Sequence, residues 1–221
     1  ILGAFSAPFI SLYASGEANT SLSENIPSSA FIAYIITVDI GVLILSTLRN
    51  WRWFTLLALA GSLTAYGAWY DVYGDTATLI TSQGGITIIF LSLVAGTTLF
   101  HFIWRRTPQV FDYSLMILNA ASYFLISYEL MADELVHWIG AFTFVLALFY
   151  GGLAYLSFVR NKDAPYLALM LSGIAIVFLA IAIPVQFDGP WISIGWSVQA
   201  VTLVWLASRL EMAEVRAIAA G

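Results

Sequence analysis

Asp39 is the residue whose chemistry most needs explaining. It lies within an apolar run spanning residues 29–48. It is about ten residues from either end, near the midplane if that run crosses a bilayer. A charge there costs at least ~2.5–3.5 kcal/mol on insertion scales, which makes an intramembrane carboxyl a functional candidate. It could carry a proton or a cation, or receive a substrate. The plainer alternative is a protonated Asp hydrogen-bonded to a neighbouring helix, because the uncharged form is the one that hydrocarbon admits. No Lys or Arg stands at matching depth, so an ion pair inside the membrane is excluded within this chain.

Two further polar sets have helical spacing. Asn119, Tyr123 and Ser127 recur at i, i+4 and i+8, which places them on one helix face, with Ser122 beside them. Gly195, Gln199 and Thr202 share a similar face in a later apolar run. Either set could line a polar cavity. Interhelical hydrogen bonding is the commoner use of such residues, at roughly 0.6–2 kcal/mol each. His101 and His137 fall near opposite membrane faces, and the spacing of His137 with Asp133 and Glu134 matches no metal-ligand pattern, so no metal site is expected. With no cysteine there is no thiolate ligand, nucleophile or disulfide framework. No phosphate loop, dinucleotide fingerprint or nucleophile elbow is present, so no catalytic residue and no cofactor is assigned. No basic stripe points to nucleic acid.

The elements that must position these residues follow from composition. Of 221 residues, 61% are hydrophobic and 10% charged, and the mean hydropathy is +0.89. Soluble domains carry roughly 25% charged residues. Apolar runs long enough to cross ~30 Å of hydrocarbon recur along the whole chain. They predict an all-α, polytopic transmembrane bundle of repeated helical hairpins with about eight spans. The first, residues 1–15, is short and partial. The others lie at 29–48, 53–70, from Gly84 and Gly85 to Trp104, and at 111–131, 135–159, 165–187 and 190–209. A short amphipathic tail follows Arg209. Pro184 should bend the seventh span. The chain opens inside an apolar run at Ile1 with no basic leader and no cleavage site, which reads as one transmembrane domain over 1–221 within a longer protein.

Charge orients the hairpins. The eight basic residues are Arg49, Arg52, Arg105, Arg106, Arg160, Lys162, Arg209 and Arg216, and they fall at alternate helix ends. The opposite ends carry Glu17, Glu24, Asp71, Asp75, Glu129, Asp133, Glu134 and Asp188, with no Lys or Arg. Basic loops stay cytoplasmic, so these ends predict a cytoplasmic C-terminus. The inner basic pairs can also touch anionic headgroups at ~1 kcal/mol each. Trp51, Trp53, Trp104, Trp69, Trp138 and Trp191 fall where interfacial aromatic belts lie. The stretch LSTLRN at 45–50 echoes LSFVRN at 156–161, as a chain of repeated hairpins would.

The stretch AIPVQFDGPWISIGWSVQAVTLVWLASRL, closing at Leu210, resembles the signature of a family of predicted bacterial multi-pass membrane proteins, the domain-of-unknown-function 2339 family. The similar marks are Ile183 and Pro184, then Asp188, Gly189 and Trp191, then Trp196, Leu203 and Trp205. NAASYFLISYELM from Asn119, GAFSAPFISLYASGEAN near the start and LRNWRWFTLLALAGSLTAYGAWY from Leu48 look like other segments of that family. The resemblance implies an integral membrane protein of the bacterial cytoplasmic membrane and no established activity. Gln199 stands where the family pattern has Glu, and Asp39 where Asn is expected, which puts an acid–base role at Gln199 in doubt.

Three functions are compatible with these observations. The first is a structural or scaffolding subunit that holds lipid or other membrane subunits, and it is favoured over an enzyme. The second is a transporter or channel-like protein using Asp39, Asn119 and Gln199, with Tyr123 a further polar intramembrane candidate. The third is a membrane enzyme acting on lipid or envelope polymer, for which the acidic outer turns are the only raw material.

Overall fold

The computed structural model describes residues 33–35, 37–41, 53–74, 77–99, 110–160, 165–187 and 189–219. Within these, every regular element is helical and no strand occurs. Residues 33–35 and 37–41 are helical. Then follow α1 (Trp53–Tyr73), α2 (Leu79–Val94) running into a π-helical turn (Ala95–Leu99), and α3 (Val110–Met131). A 3₁₀ turn (Val136–Trp138) leads into α4 (Ile139–Arg160), followed by α5 (Pro165–Gln186) and α6 (Pro190–Ala219). The expected first span and most of the second lie outside the described residues.

These helices are apolar on both sides. Ile86, Ile89, Leu93, Met116, Leu167 and Leu171 fill the core around the buried rings of Trp69 and Tyr150. Leu125, Leu148, Leu169 and Val201 point outward and are more than half exposed. A soluble helix keeps its outward face polar; one that is apolar all round belongs in lipid. Leu79–Thr97, Phe111–Met131, Val136–Arg160 and Tyr166–Gln186 are each long and apolar enough to cross a membrane. The sequence of α1 is WFTLLALAGSLTAYGAWYDVY, where Gly, Ser, Thr and Tyr dilute the apolar content.

Three boundaries differ most from expectation. Helix α2 begins before Gly84, because Thr78 caps it: its hydroxyl accepts the Thr81 N–H at 3.3 Å. Both glycines therefore lie inside the helix. Second, α6 does not stop at Arg209 but continues unbroken to Ala219, so the tail extends the last helix. Third, residues 136–138 tighten into a 3₁₀ turn before α4 starts at Ile139.

The α4–α5 hairpin has the most extensive helix contact. At Gly140 the helices approach so closely that a Cβ would collide with the side chain of Gln186. Between α5 and α6, Gly189 takes a φ of 59°, a conformation costly for residues with a Cβ, and Pro190 opens the next helix.

Candidate functional site

The polar candidates Asp39, Asn119 and Gln199 sit in three separate helix contacts. The first surrounds Asp39. Ile35 and Asp39, one turn apart, are both buried against the core. The Ser62 hydroxyl from the middle of α1 donates to Asp39 Oδ1 at 2.5 Å. Ser92 of α2 lies beside the same carboxyl, while its hydroxyl donates to the Ile89 carbonyl at 2.8 Å. Asp39 is 0% exposed, and its Oδ2 has no hydrogen-bond partner among the described residues.

The second contact joins α2 to α3. Asn119, Tyr123 and Ser127 do form one buried face, and it lies against α2. Asn119 Nδ2 donates to the Phe90 carbonyl at 3.3 Å. Gln83 Nε2 donates to Ser127 Oγ at 2.9 Å and to the Tyr123 hydroxyl at 3.3 Å. Thr87 Oγ1 shares a hydrogen bond with that hydroxyl at 2.9 Å, and the Tyr123 ring stacks on Phe90 with centroids 4.2 Å apart. Gln83 Oε1 is buried without a partner among the described residues. Ser122, off this face, donates to its own helix at Leu118.

The third contact joins α5 to α6. Gln199 Nε2 donates to the Ile176 carbonyl at 3.2 Å, and its Oε1 is buried with no partner among the described residues. One turn along, the Trp196 indole N–H donates to the Ala180 carbonyl at 3.1 Å. That carbonyl would ordinarily accept from residue 184, but Pro184 has no N–H. Helix α5 runs through Pro184, and Trp196 supplies the donor that proline removed. Transmembrane prolines are tolerated where a neighbour makes this repair.

Asp39, Asn119 and Gln199 therefore lie in three different contacts. A cavity of about 270 Å³ between α5 and α6 is lined by Gly195, Gln199 and Thr202 among mostly apolar neighbours. Asp39, Asn119 and Tyr123 line neither this cavity nor those between α4 and α5 and between α3 and α5.

Sequence reasoning missed the partners Ser62, Gln83, Thr87 and Trp196. The i, i+4 spacing of Gln83 and Thr87 signalled a polar face, and Pro184 signalled an orphaned carbonyl; neither showed which helix lay opposite. It also passed over Asp112, buried in the first turn of α3, where the helix dipole favours a carboxylate. Of the basic ends, Arg160 closes α4 and is exposed, and Arg209 lies within α6. Arg49, Arg52, Arg105, Arg106 and Lys162 lie outside the described residues, as does His101. His137, Asp133 and Glu134 are exposed, and among the described residues no His, Asp and Glu group could hold a metal.

Long apolar helices whose outward faces expose Leu, Ile and Val define a helical integral membrane protein. The chain belongs to the family described as Predicted membrane protein (DUF2339), whose profile matches residues 1–220. No curated protein and no solved structure matches it.

Proposed function

We propose that this protein is a structural subunit of a membrane complex, with its intramembrane polar groups holding helices together. One observation carries the proposal: Asp39, Asn119 and Gln199 each hydrogen-bond across a different helix contact. A translocation path needs polar groups that converge on a hydrated route, whereas a scaffold needs them spread over its seams. The proposal includes about eight spans, with the basic ends in the cytoplasm, in the bacterial cytoplasmic membrane as one transmembrane domain.

A transporter reading is the alternative, and Asp39 Oδ2, buried with no hydrogen-bond partner among the described residues, favours it, since a buried acceptor is where a proton or cation would bind. Reconstitution separates the two. Vesicles containing the protein and an internal pH dye should dissipate an imposed proton or sodium gradient no faster than empty vesicles. A leak that disappears in Asp39→Asn would sink the scaffold reading. The positive arm is affinity purification from native membranes: the scaffold reading expects a partner at fixed stoichiometry, held equally by wild type and Asp39→Asn.

A further inference from the structure

Two cavities meet along one face of α5. The first, about 670 Å³, opens between the start of α4 and the end of α5, with His137, Trp138 and Gln186 at its mouth and Phe144, Leu179 and Ile183 on its walls. The second is the α5–α6 cavity, which also has Leu179 and Ile183 on its wall. Because the same two side chains border both, the cavities adjoin along α5, in a groove flanked by α4 and α6. On α6 it reaches Leu203, thirteen residues beyond the helix start at Pro190, roughly 20 Å at 1.5 Å per residue. One leaflet's share of ~30 Å of hydrocarbon is somewhat less. The groove is therefore polar at its mouth, apolar along Leu179 and Ile183, polar again at Gln199 and Thr202, and as deep as a leaflet.

The mouth also has a distinctive charge. Asp133 and Glu134 are exposed in the turn just before His137, and no Lys or Arg occurs between Arg106 and Arg160. An anionic headgroup would find no Lys or Arg in this turn or in α4 before Arg160, only the His137 imidazole; an ammonium would find two carboxylates close in sequence to the mouth. The α3–α5 cavity, about 540 Å³, differs. Its lining, including Ala121, Phe124 and Gly173, is wholly apolar, so it offers nothing to select a headgroup.

We propose that the α4–α5–α6 groove binds one phospholipid with an ammonium-bearing headgroup. The head sits at the mouth near Asp133 and Glu134, and one acyl chain lies along Leu179 and Ile183. This does not depend on the scaffold reading, since a transporter or an enzyme could hold such a lipid equally well.

Native mass spectrometry of the full chain, released from micelles containing equal amounts of phosphatidylethanolamine and phosphatidylglycerol, tests it. Wild type should retain phosphatidylethanolamine at one per chain, preferred by about fivefold or more, a factor worth about 1 kcal/mol. Ala141→Trp places an indole in the groove and should abolish that preference. Leu148→Trp adds comparable bulk on the outward face of α4, away from all three cavities, and should leave it intact. Asp133→Lys with Glu134→Lys alters only the exposed turn and should shift the preference toward phosphatidylglycerol. Equal retention of both lipids by wild type overturns the proposal, as does an Ala141→Trp protein that binds like Leu148→Trp. If Ala141→Trp does not fold, the charge-reversal variant decides: an unchanged preference overturns the proposal.

Discussion

At the scale of single residues, Asp39 is a hydrogen-bond acceptor before it is anything else. Ser62 donates to it from the neighbouring helix, so the contact needs an acceptor rather than a charge. Asn keeps a carbonyl oxygen in that place. Asp39→Asn should therefore change stability in detergent by less than about 1 kcal/mol, whereas Asp39→Ala, which strands the Ser62 hydroxyl, should cost about 1–2 kcal/mol. Reversible unfolding in mixed micelles measures both, and a double-mutant cycle with Ser62→Ala should recover most of the Asp39→Ala loss as coupling. No coupling would mean that the hydrogen bond contributes nothing. A parallel case is Tyr123→Phe, which removes the hydroxyl shared with Thr87 and Gln83 but keeps the ring stacked on Phe90. It should cost about 1 kcal/mol, the net value of a lost hydrogen bond, without altering helix content by circular dichroism. Asp39 and the Asn119–Tyr123–Ser127 face were legible in the sequence, because a charge amid apolar residues and a four-residue spacing are local features. Ser62, Gln83 and Thr87 were not, because which seam a side chain faces depends on how helices distant in sequence come together.

At the scale of elements, the α5–α6 hairpin shows how two sequence marks become one interaction. Pro184 leaves the Ala180 carbonyl without its helical donor, and Trp196 donates to it from α6. Trp196→Phe should cost about 1 kcal/mol by orphaning that carbonyl. In a Pro184→Ala background the helix supplies its own N–H, so the same substitution should cost much less. Thermal unfolding of the four proteins gives the coupling, and a value near zero would show that Trp196 does not serve the freed carbonyl. The α4–α5 seam is governed by space instead. At Gly140 even a methyl group would meet the Cβ and backbone of Gln186, so Gly140→Ala should push the start of α4 away from α5 and lower the unfolding temperature. Helix ends were legible where Pro or a polar turn marks them, as at Pro165 and Pro190. They were misread at α2, where Thr78 caps the helix and the Gly84–Gly85 pair, a usual sign of a break, is simply carried inside it.

At the scale of the whole molecule, hydropathy shows that the helices belong in lipid, but only the distribution of charge says which way they run. Helix α4 is the best place to test that. It has 22 residues, about 33 Å at 1.5 Å per residue, enough to cross the hydrocarbon by itself. The turn before it carries Asp133 and Glu134, and Arg160 at its other end is followed by Lys162. If basic ends are retained in the cytoplasm, the two flanks of α4 must lie on opposite sides. These 221 residues include no cysteine, so a single introduced thiol reports its own location against a silent background within them. Glu134→Cys should react with a membrane-impermeant maleimide in intact cells, and Lys162→Cys only after the membrane is opened. Asp75→Cys and Asn50→Cys, at the two flanks of α1, should behave like Glu134→Cys and Lys162→Cys respectively. Labelling of both members of a pair from the same side would mean that the helix between them does not cross. Labelling of every pair in the reverse sense would keep the spans but place the basic ends outside. For α1 the experiment carries extra weight: its Gly, Ser, Thr and Tyr residues dilute its apolar content, so hydropathy alone does not establish that it spans. Those same small and hydroxylic residues are what the interior needs. Ser62 reaches Asp39, and Tyr66 donates to the Ser82 carbonyl at 2.9 Å. Hydrogen bonds between helices can offset such a loss of hydropathy, so α1 should label as a spanning helix in spite of its composition.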